Sequence, residues 1–239
     1  MYIQQYLAHK NICSRRQGES WVRQGRVLVN GQPAQCGQKV SDIDHIICDP
    51  RCFQKIYTYY AYHKPAGILT INPQPGEQAI ADIIDLPPDV LPMGRLDKDT
   101  SGLLILTNDR TVPKRILDPL ANCEKEYDIT SSYPITDAHC RQLEYGIIIN
   151  GYRTKPAKTH RLSGHRIRLI ITEGKKRQVR EMMRRVGHHT IILTRVRIGP
   201  IHLGDLKIGA YRPLTEKEKF WKHTSTIHDP SPIGTHTPQ

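Results

Sequence analysis

Hydrophobic positions change their spacing along the chain, and each change marks a segment of different secondary structure. Near the N-terminus the apolar residues of YIQQYL repeat at helical spacing, and SRRQ, which begins at Ser14, has the form of a capping box that starts a second helix. The sequence RVLVNGQPAQ follows, and its Asn30-Gly31 pair can supply the positive φ angles of a hairpin turn. The pattern predicts a module of helix, helix and hairpin over residues 1–49.

A second and larger domain is predicted to begin after a linker that opens at Asp49-Pro50 and covers residues 50–56. IYTYYAYHKPAGILT is typical of a strand that ends at a turn containing Pro and Gly. Further strand-like runs and helix-like patterns follow. The strand-like runs are at 103–107, 126–130, 167–172 and 190–199, and the helix-like ones at 78–84, 111–118, 137–144 and in KKRQVREMMRRVG.

Strands outnumber helices in this second domain, and the connections after residue 130 are too short for repeated βαβ units, so antiparallel pairing is expected. The predicted fold class is therefore α+β, with a small N-terminal α/β module followed by a mainly antiparallel sheet with flanking helices at 57–222. Residues 223–239 are polar, contain Pro and Gly and show no periodicity, and they are predicted to form a disordered tail.

The clearest helical pattern is EGKKRQVREMMRRVGH, residues 173–188, because its apolar residues form one stripe that would dock the helix on a core. Arg180 lies beside this stripe, at an edge where a long side chain can follow the core surface and present its charge to a half-buried carboxylate. The stripe consists of Val179, Met182, Met183 and Val186.

Composition adds a basic balance, with a formal net charge of +12 spread along the whole chain. Such a balance favours a polyanionic partner, above all a nucleic acid. No apolar run approaches the ~20 residues that cross a bilayer, and the start lacks the features of a secretory signal, so a cytoplasmic protein without a membrane partner is expected. The cysteines form no CxxC pair, which disfavours a metal or disulfide framework, including a zinc site at Cys48 and Cys52.

The stretch GRLDKDTSGLLILTND concentrates charges directly before an apolar run. Three interpretations are open for Asp97 and Asp99. They could form an acid and nucleophile pair on one face of a strand, as in glycosidases, or belong to a structural turn. Alternatively, one carboxylate could act as a nucleophile beside an arginine such as Arg180, since a nearby positive charge favours the ionised form that a nucleophile requires.

The N-terminal module resembles the S4 RNA-binding domain in its CSRR entry, its basic helix and its VLVNG hairpin. This resemblance implies RNA binding through arginines that can donate to phosphates in forked geometry. The alternative is a solvated helix face. The arginines concerned are Arg15, Arg16, Arg23 and Arg26.

Three blocks in order, GRLDKDTSGLLILTND, CEKEYDIT and EGKKRQVREMMRRVGH, make the chain similar to the bacterial RsuA/RluB/RluE/RluF family of ribosomal RNA pseudouridine synthases across about residues 2–215. The resemblance implies that Asp97 is the catalytic nucleophile, that Tyr127 packs against the target base and that Arg180 pairs with the catalytic Asp. Arg95, Lys176 and Arg177 are expected to contact RNA.

The activity that this resemblance implies is isomerisation of uridine to pseudouridine in ribosomal RNA, with large-subunit RNA slightly ahead of small-subunit RNA. The enzyme is expected to act as a monomer and to need no metal or organic cofactor. The alternative is a non-catalytic RNA-binding or ribosome-assembly factor with the same fold, although such a protein would have no reason to retain Asp97, Tyr127 and Arg180 together. A DNA-binding regulator is disfavoured because the N-terminal module lacks a long recognition helix.

Overall fold

The computed structural model describes residues 1–10, 12–53 and 57–221. The chain divides into two compact units, Met1–Ile56 and Tyr57–Gln239. The predicted tail at 223–239 and the last part of the predicted linker lie outside the described residues. No helix among the residues that the structure describes is long and apolar enough to span a membrane.

The first unit has the predicted order of helix, helix and hairpin. Ser14 caps the second helix, because its hydroxyl accepts from the Gln17 amide at 3.3 Å while the Gln17 side chain accepts from the Ser14 amide at 3.1 Å. Asn30 and Gly31 have φ angles of 52° and 81° and form the hairpin turn. The elements are α1 (Ile3–His9), α2 (Arg15–Arg23), β1 (Val27–Val29), β2 (Gln32–Pro33) and β3 (Ile46–Cys48).

Close packing of α1 and α2 explains why α2 contains a glycine. Glycine inside a helix destabilises it relative to alanine. Gly18 is buried, and a Cβ atom there would lie 3.3 Å from Leu7 Cδ1 on α1 and 3.3 Å from the Gln4 Cα atom. The glycine therefore lets the two helices approach each other. The core beneath them contains Ile3, Leu7, Val22, Val27, Val29, Ala34 and Val40.

The second unit is built on one large sheet, in which nine strands are paired among the described residues. The strands in chain order are β4 (Tyr59–Lys64), β5 (Leu91–Met93), β6 (Ser101–Thr107), β7 (Lys125–Ser131), β10 (Lys158–Arg161), β11 (Arg166–Ile171), β12 (Thr190–Ile198), β13 (Ile201–His202) and β14 (Tyr211–Pro213). Their order across the sheet is β10-β11-β7-β12-β6-β4-β14, with β5 on β6 and β13 on β12. A separate hairpin joins β8 (Ile148–Ile149) to β9 (Tyr152–Arg153).

The described strand pairs are antiparallel, as predicted, apart from β6 with β12, which run parallel and bring Gly102 opposite Arg195. Gly102 has a φ angle of +114°, and a Cβ atom there would lie 2.5 Å from the Arg195 amide nitrogen. Only glycine allows the two strands to come together at this point.

Three α-helices of the second unit follow the predicted patterns: α3 (Val112–Leu117), α4 (Asp137–Tyr145) and α5 (Gln178–Arg185). The apolar stripe of α5 is confirmed, since its four residues are at most 8% exposed and pack in one core with β7 and β11. The predicted helix at 78–84 is wrong. Only Ile80–Asp82 forms a 3₁₀ turn, which the Asp82 carboxylate caps by accepting from the Ala79 amide at 2.8 Å.

Candidate active site

A cavity of about 720 Å³ opens in the second unit and collects side chains from segments far apart in sequence. Asp97 reaches it from the loop between β5 and β6, Tyr127 from β7 and Arg180 from α5. All three residues that the sequence singled out as catalytic candidates line this one cavity, together with Arg95, Lys176 and Arg177.

Asp97 lies at the start of a tight turn whose last amide, that of Thr100, donates to the Asp97 carbonyl oxygen at 3.0 Å. The interpretation of Asp97 and Asp99 as a pair on one strand face is therefore wrong, because neither residue belongs to a strand. Asp97 is half-buried, whereas the Asp99 side chain is 63% exposed and forms a 3.8 Å ion pair with Arg177. The two carboxylates thus have different surroundings.

Lys64, at the end of β4, forms hydrogen bonds to the turn that begins at Asp97. Its side chain is fully buried, and its Nζ donates to the carbonyl oxygens of Pro65 at 2.8 Å, Thr100 at 3.0 Å and Lys98 at 3.4 Å. Burial lowers the pKa of Lys64 from 10.5 to about 8, although the charges of Asp97 and Asp99 act in the opposite direction. The ammonium group therefore holds the main chain on the C-terminal side of Asp97.

Arg180 contacts the same turn from the other side. One terminal nitrogen of its guanidinium, Nη2, donates to the Asp99 carbonyl oxygen at 2.9 Å and to the Thr100 hydroxyl at 3.5 Å, and Nη1 donates to the Thr190 carbonyl oxygen at 3.3 Å. Burial lowers the pKa of Arg180, and neighbouring Arg177 adds to this effect. Among the described residues, the expected ion pair with the Asp97 carboxylate is absent, and the buried Nε has no hydrogen-bond partner.

Tyr127 forms part of the cavity floor at the centre of the sheet. It pairs in register with Leu169 on β11 and Arg195 on β12 and is 7% exposed. Arg195 is also buried and donates from Nε to the Leu103 carbonyl oxygen at 2.8 Å. Lys125 lies two residues before Tyr127 on the same face, and burial lowers its pKa. An aromatic ring and cationic groups therefore meet at the floor.

A basic loop forms the rim of the cavity, and the buried side-chain amide of Gln178 fixes it. Gln178 is 3% exposed, donates to the Glu173 carboxylate at 2.7 Å and accepts from the Lys175 amide at 2.9 Å. These bonds fix the loop that carries Lys175, Lys176 and Arg177, whose side chains are exposed. The rim can thus present positive charge to a polyanion.

The four arginines of the N-terminal module differ in their surroundings. Arg15 and Arg16 are exposed on the first turn of α2. Arg23 is exposed as well, but it forms a 2.7 Å ion pair with Glu19, and Arg26 is half-buried. Arg15 and Arg16 therefore have the most freedom to contact a ligand.

Sequence reasoning missed four polar residues that build the site: Lys64, Lys125, Gln178 and Arg195. Two signals were available. Lys64 ends a strand that is rich in aromatic residues, directly before a proline, and Arg195 lies within the largely apolar run TIILTRV. Charged side chains at such positions are costly unless they find partners, so each was a candidate for a structural or functional contact.

Comparison with known proteins identifies the family to which the chain belongs. The family model "RNA pseudouridylate synthase" matches residues 58–185, and the model "S4 domain" matches residues 3–46. A solved structure described as a pseudouridylate synthase superposes with a TM-score of 0.65 at 30% identity, covering 91% of this chain and 97% of the other.

Three curated relatives have similar identity over most of the chain. The dual-specificity RNA pseudouridine synthase RluF of Shigella flexneri is 33% identical over 90% of this chain and 76% of its own. The ribosomal large subunit pseudouridine synthase B of Bacillus subtilis is 33% identical over 90% and 93%. The ribosomal small subunit pseudouridine synthase A of Haemophilus influenzae is 32% identical over 91% and 97%. The chain therefore belongs to the RNA pseudouridine synthase family, and it is an isomerase with an S4 domain ahead of its catalytic domain.

Proposed function

We propose that this enzyme converts a uridine of large-subunit ribosomal RNA to pseudouridine and that Asp97 is its nucleophile. The observation that carries the proposal is the meeting of Asp97, Tyr127 and Arg180 in one cavity of about 720 Å³. That volume lies within the range of about 300–1,000 Å³ that is usual for sites of small ligands, so it can accept a nucleotide taken out of its stack.

The reaction is an isomerisation, so its atoms balance without a second reactant. The bond between N1 of uracil and C1′ of the ribose breaks, the base turns, and a bond forms between C5 and C1′. C5 then loses a proton and N1 gains one. Asp97 supplies the electron pair for a covalent intermediate, whether at C6 of the base or at C1′ of the sugar. The ring of Tyr127 packs against the uracil while the base turns.

Arg180 has two roles in this proposal. Its bonds to the Asp99 and Thr190 carbonyl oxygens tie α5 and β12 to the turn that carries the nucleophile. Its buried Nε is a donor without a partner among the described residues, and leaving such a donor unpaired is costly. When RNA binds, the Asp97 carboxylate moves to accept from this Nε, and the resulting pairing with Arg180 keeps Asp97 ionised.

The RNA is expected to lie across the basic rim. Arg95, Lys176 and Arg177 are exposed at the cavity mouth and contact phosphates, and the S4 domain adds contacts through Arg15, Arg16, Arg23 and Arg26. Phosphate contacts fix the position of the substrate, while the cavity selects the base. One chain carries all of these groups, so the proposed reaction needs no second copy, and we expect the enzyme to act as a monomer.

The choice between ribosomal subunits rests on a narrow preference. A relative named for the large subunit is 33% identical to this chain, and one named for the small subunit is 32% identical. We favour the large subunit because of the residues that form the sequence motifs. Mapping pseudouridines in both ribosomal RNAs from cells with and without the protein tests this. Loss of a site in small-subunit RNA alone would contradict the preference and leave the activity intact.

Asp97→Asn tests the nucleophile, with Asp99→Asn as the matched control two residues away. The Asp97→Asn enzyme is expected to fold and bind RNA but to form no pseudouridine, since a neutral amide cannot attack. Asp99→Asn is expected to keep most of the activity, because its exposed side chain does not line the cavity. Product formation above a trace in folded Asp97→Asn enzyme would make the assignment wrong.

A further inference from the structure

The residue directly before Asp97 is held by one side chain from another loop. The Thr70 hydroxyl donates to the Leu96 carbonyl oxygen at 2.8 Å and accepts from the Leu96 amide at 3.1 Å. Thr70 is 4% exposed and Leu96 is 7% exposed. A single buried hydroxyl thus satisfies both main-chain polar groups of the residue that precedes the proposed nucleophile.

Thr70 is itself fixed by the main chain next to it. The Leu69 amide donates to the Gln78 carbonyl oxygen at 2.9 Å, and the Leu69 carbonyl oxygen accepts from the Ile80 amide at 2.9 Å. Leu69 and Ala79 form a parallel bridge outside the main sheet. The hydroxyl therefore acts from a fixed point of the fold rather than from a free loop.

The two sides of Asp97 are anchored differently. On the C-terminal side, Lys64 and Arg180 donate to three consecutive carbonyl oxygens, at 98, 99 and 100. On the N-terminal side, residues 94–97 lie outside any strand, and within the described part of the chain the main-chain groups of Leu96 hydrogen-bond to Thr70 alone. Within a sheet, a neighbouring strand would form these hydrogen bonds to the main chain, and here the Thr70 side chain forms them.

We propose that Thr70 is a positioning residue that sets the place of the Asp97 carboxylate through the Leu96 main chain. The inference rests on the proposed role of Asp97 as nucleophile. A hydroxyl is required because it donates and accepts at once. Serine can do both, whereas valine has the shape of threonine and can do neither.

The expected effect follows from the geometry of attack. Displacing a reacting group by about 1 Å can reduce the rate on the order of 100-fold. Thr70 lines the cavity wall near Leu96 and does not belong to the basic rim, so RNA affinity is expected to stay the same. Thr70→Val should therefore lower kcat by on the order of 10- to 100-fold and change KM by less than about twofold, and Thr70→Ser should restore kcat to within about threefold of the wild type.

Thr107 offers a matched control in the same domain. Its hydroxyl donates to the Thr58 carbonyl oxygen at 2.7 Å and accepts from the Asp109 amide at 3.0 Å, and the residue is 3% exposed. It ends β6, whereas Asp97 precedes the start of that strand, so the two are on the order of 20 Å apart along it. Thr107→Val should lower the melting temperature about as much as Thr70→Val and leave kcat unchanged.

The experiment measures kcat, KM, RNA affinity and melting temperature for the full-length variants, with Asp97→Asn alongside. If Thr70→Val does not fold, Thr70→Ala replaces it, since alanine adds no bulk. A folded Thr70→Val or Thr70→Ala enzyme with wild-type kcat would overturn the inference. A Thr70→Ser enzyme as slow as Thr70→Val would also overturn it, and so would a Thr107→Val enzyme that loses as much kcat as Thr70→Val. Activity in Asp97→Asn would instead overturn the proposed nucleophile, which separates the two failures.

Discussion

Replacing Gly102 by alanine should destabilise the catalytic domain strongly, because the main chains of three strands meet there. Gly102 pairs with Lys64 on β4 on one side and with Arg195 on β12 on the other. The new Cβ atom would lie 2.5 Å from the Arg195 amide nitrogen and nearer still to its carbonyl oxygen. Main-chain atoms in a paired strand cannot move aside without breaking the pairing of β6 with β12.

Two terms set the magnitude. A non-glycine residue at a φ angle of +114° adds about 2 kcal/mol of backbone strain, and overpacking a buried position adds about 2 kcal/mol. The smaller conformational entropy of unfolded alanine offsets about 0.5 kcal/mol of this cost. A net loss of about 3–4 kcal/mol lowers the melting temperature of a domain of this size by about 6–16 °C.

Thermal unfolding of the full chain, followed by calorimetry, measures this shift. Gly164→Ala is the matched control, because a Cβ atom there would have no heavy atom within 4 Å and the residue is outside the positive φ region. Its melting temperature should stay within about 2 °C of the wild type, since it changes stability by at most about 0.5 kcal/mol. Equal melting temperatures for Gly102→Ala and the wild type would refute the argument that this contact requires glycine.

Two further predictions concern the lysine beneath the turn and the arginines of the S4 domain. The pKa of Lys64 is about 8 in the folded protein against 10.5 in the unfolded chain, so between these pH values the unfolded state binds more protons. The stability of the wild type should therefore rise with pH by up to about 3 kcal/mol relative to that of Lys64→Met. Urea unfolding of both proteins at pH 7 to 10 checks this, and an equal pH dependence of their unfolding free energies would contradict it. Replacing Arg15 and Arg16 by alanine should weaken RNA binding and reduce the slope of log affinity against log salt by about one to two, without changing the single-turnover rate. Arg23→Ala is the control and should have a smaller effect on RNA binding, because Glu19 already pairs with that arginine. If the double variant at Arg15 and Arg16 kept the salt slope but lost the single-turnover rate, these arginines would belong to the active site instead.

Local signals in the sequence predicted much of the secondary structure, but not every element. The capping box at Ser14, the Asn30-Gly31 turn and the apolar stripe of α5 each involve residues within a few positions of one another, and each is present in the structure. The pattern at 78–84 failed because helical spacing over seven residues also fits a 3₁₀ turn, here stabilised by the Asp82 cap. So short a segment gives no length signal to separate the two.

Long-range contacts could not be predicted in the same way. Arg195 lies opposite Tyr127 only because β7 and β12 pair in one register, interrupted by a shift between Arg195 and Arg197. The parallel contact between β6 and β12 likewise joins residues about ninety positions apart in the chain. Sequence spacing indicated which polar residues were unusual, but the strand order determines which of them meet.

The proposed role of Asp97 as nucleophile makes two demands on its surroundings. The carboxylate must be held in place, and at least one of its two oxygens must stay accessible to the nucleotide. The buried donors of Lys64, Thr70 and Arg180 bond to main-chain carbonyl oxygens on either side of Asp97. Among the described residues, no hydrogen bond or ion pair involves the carboxylate oxygens of Asp97 itself. The position of Asp97 is thus fixed through its main chain, which in the proposed mechanism leaves one carboxylate oxygen to pair with Arg180 and the other to attack the nucleotide.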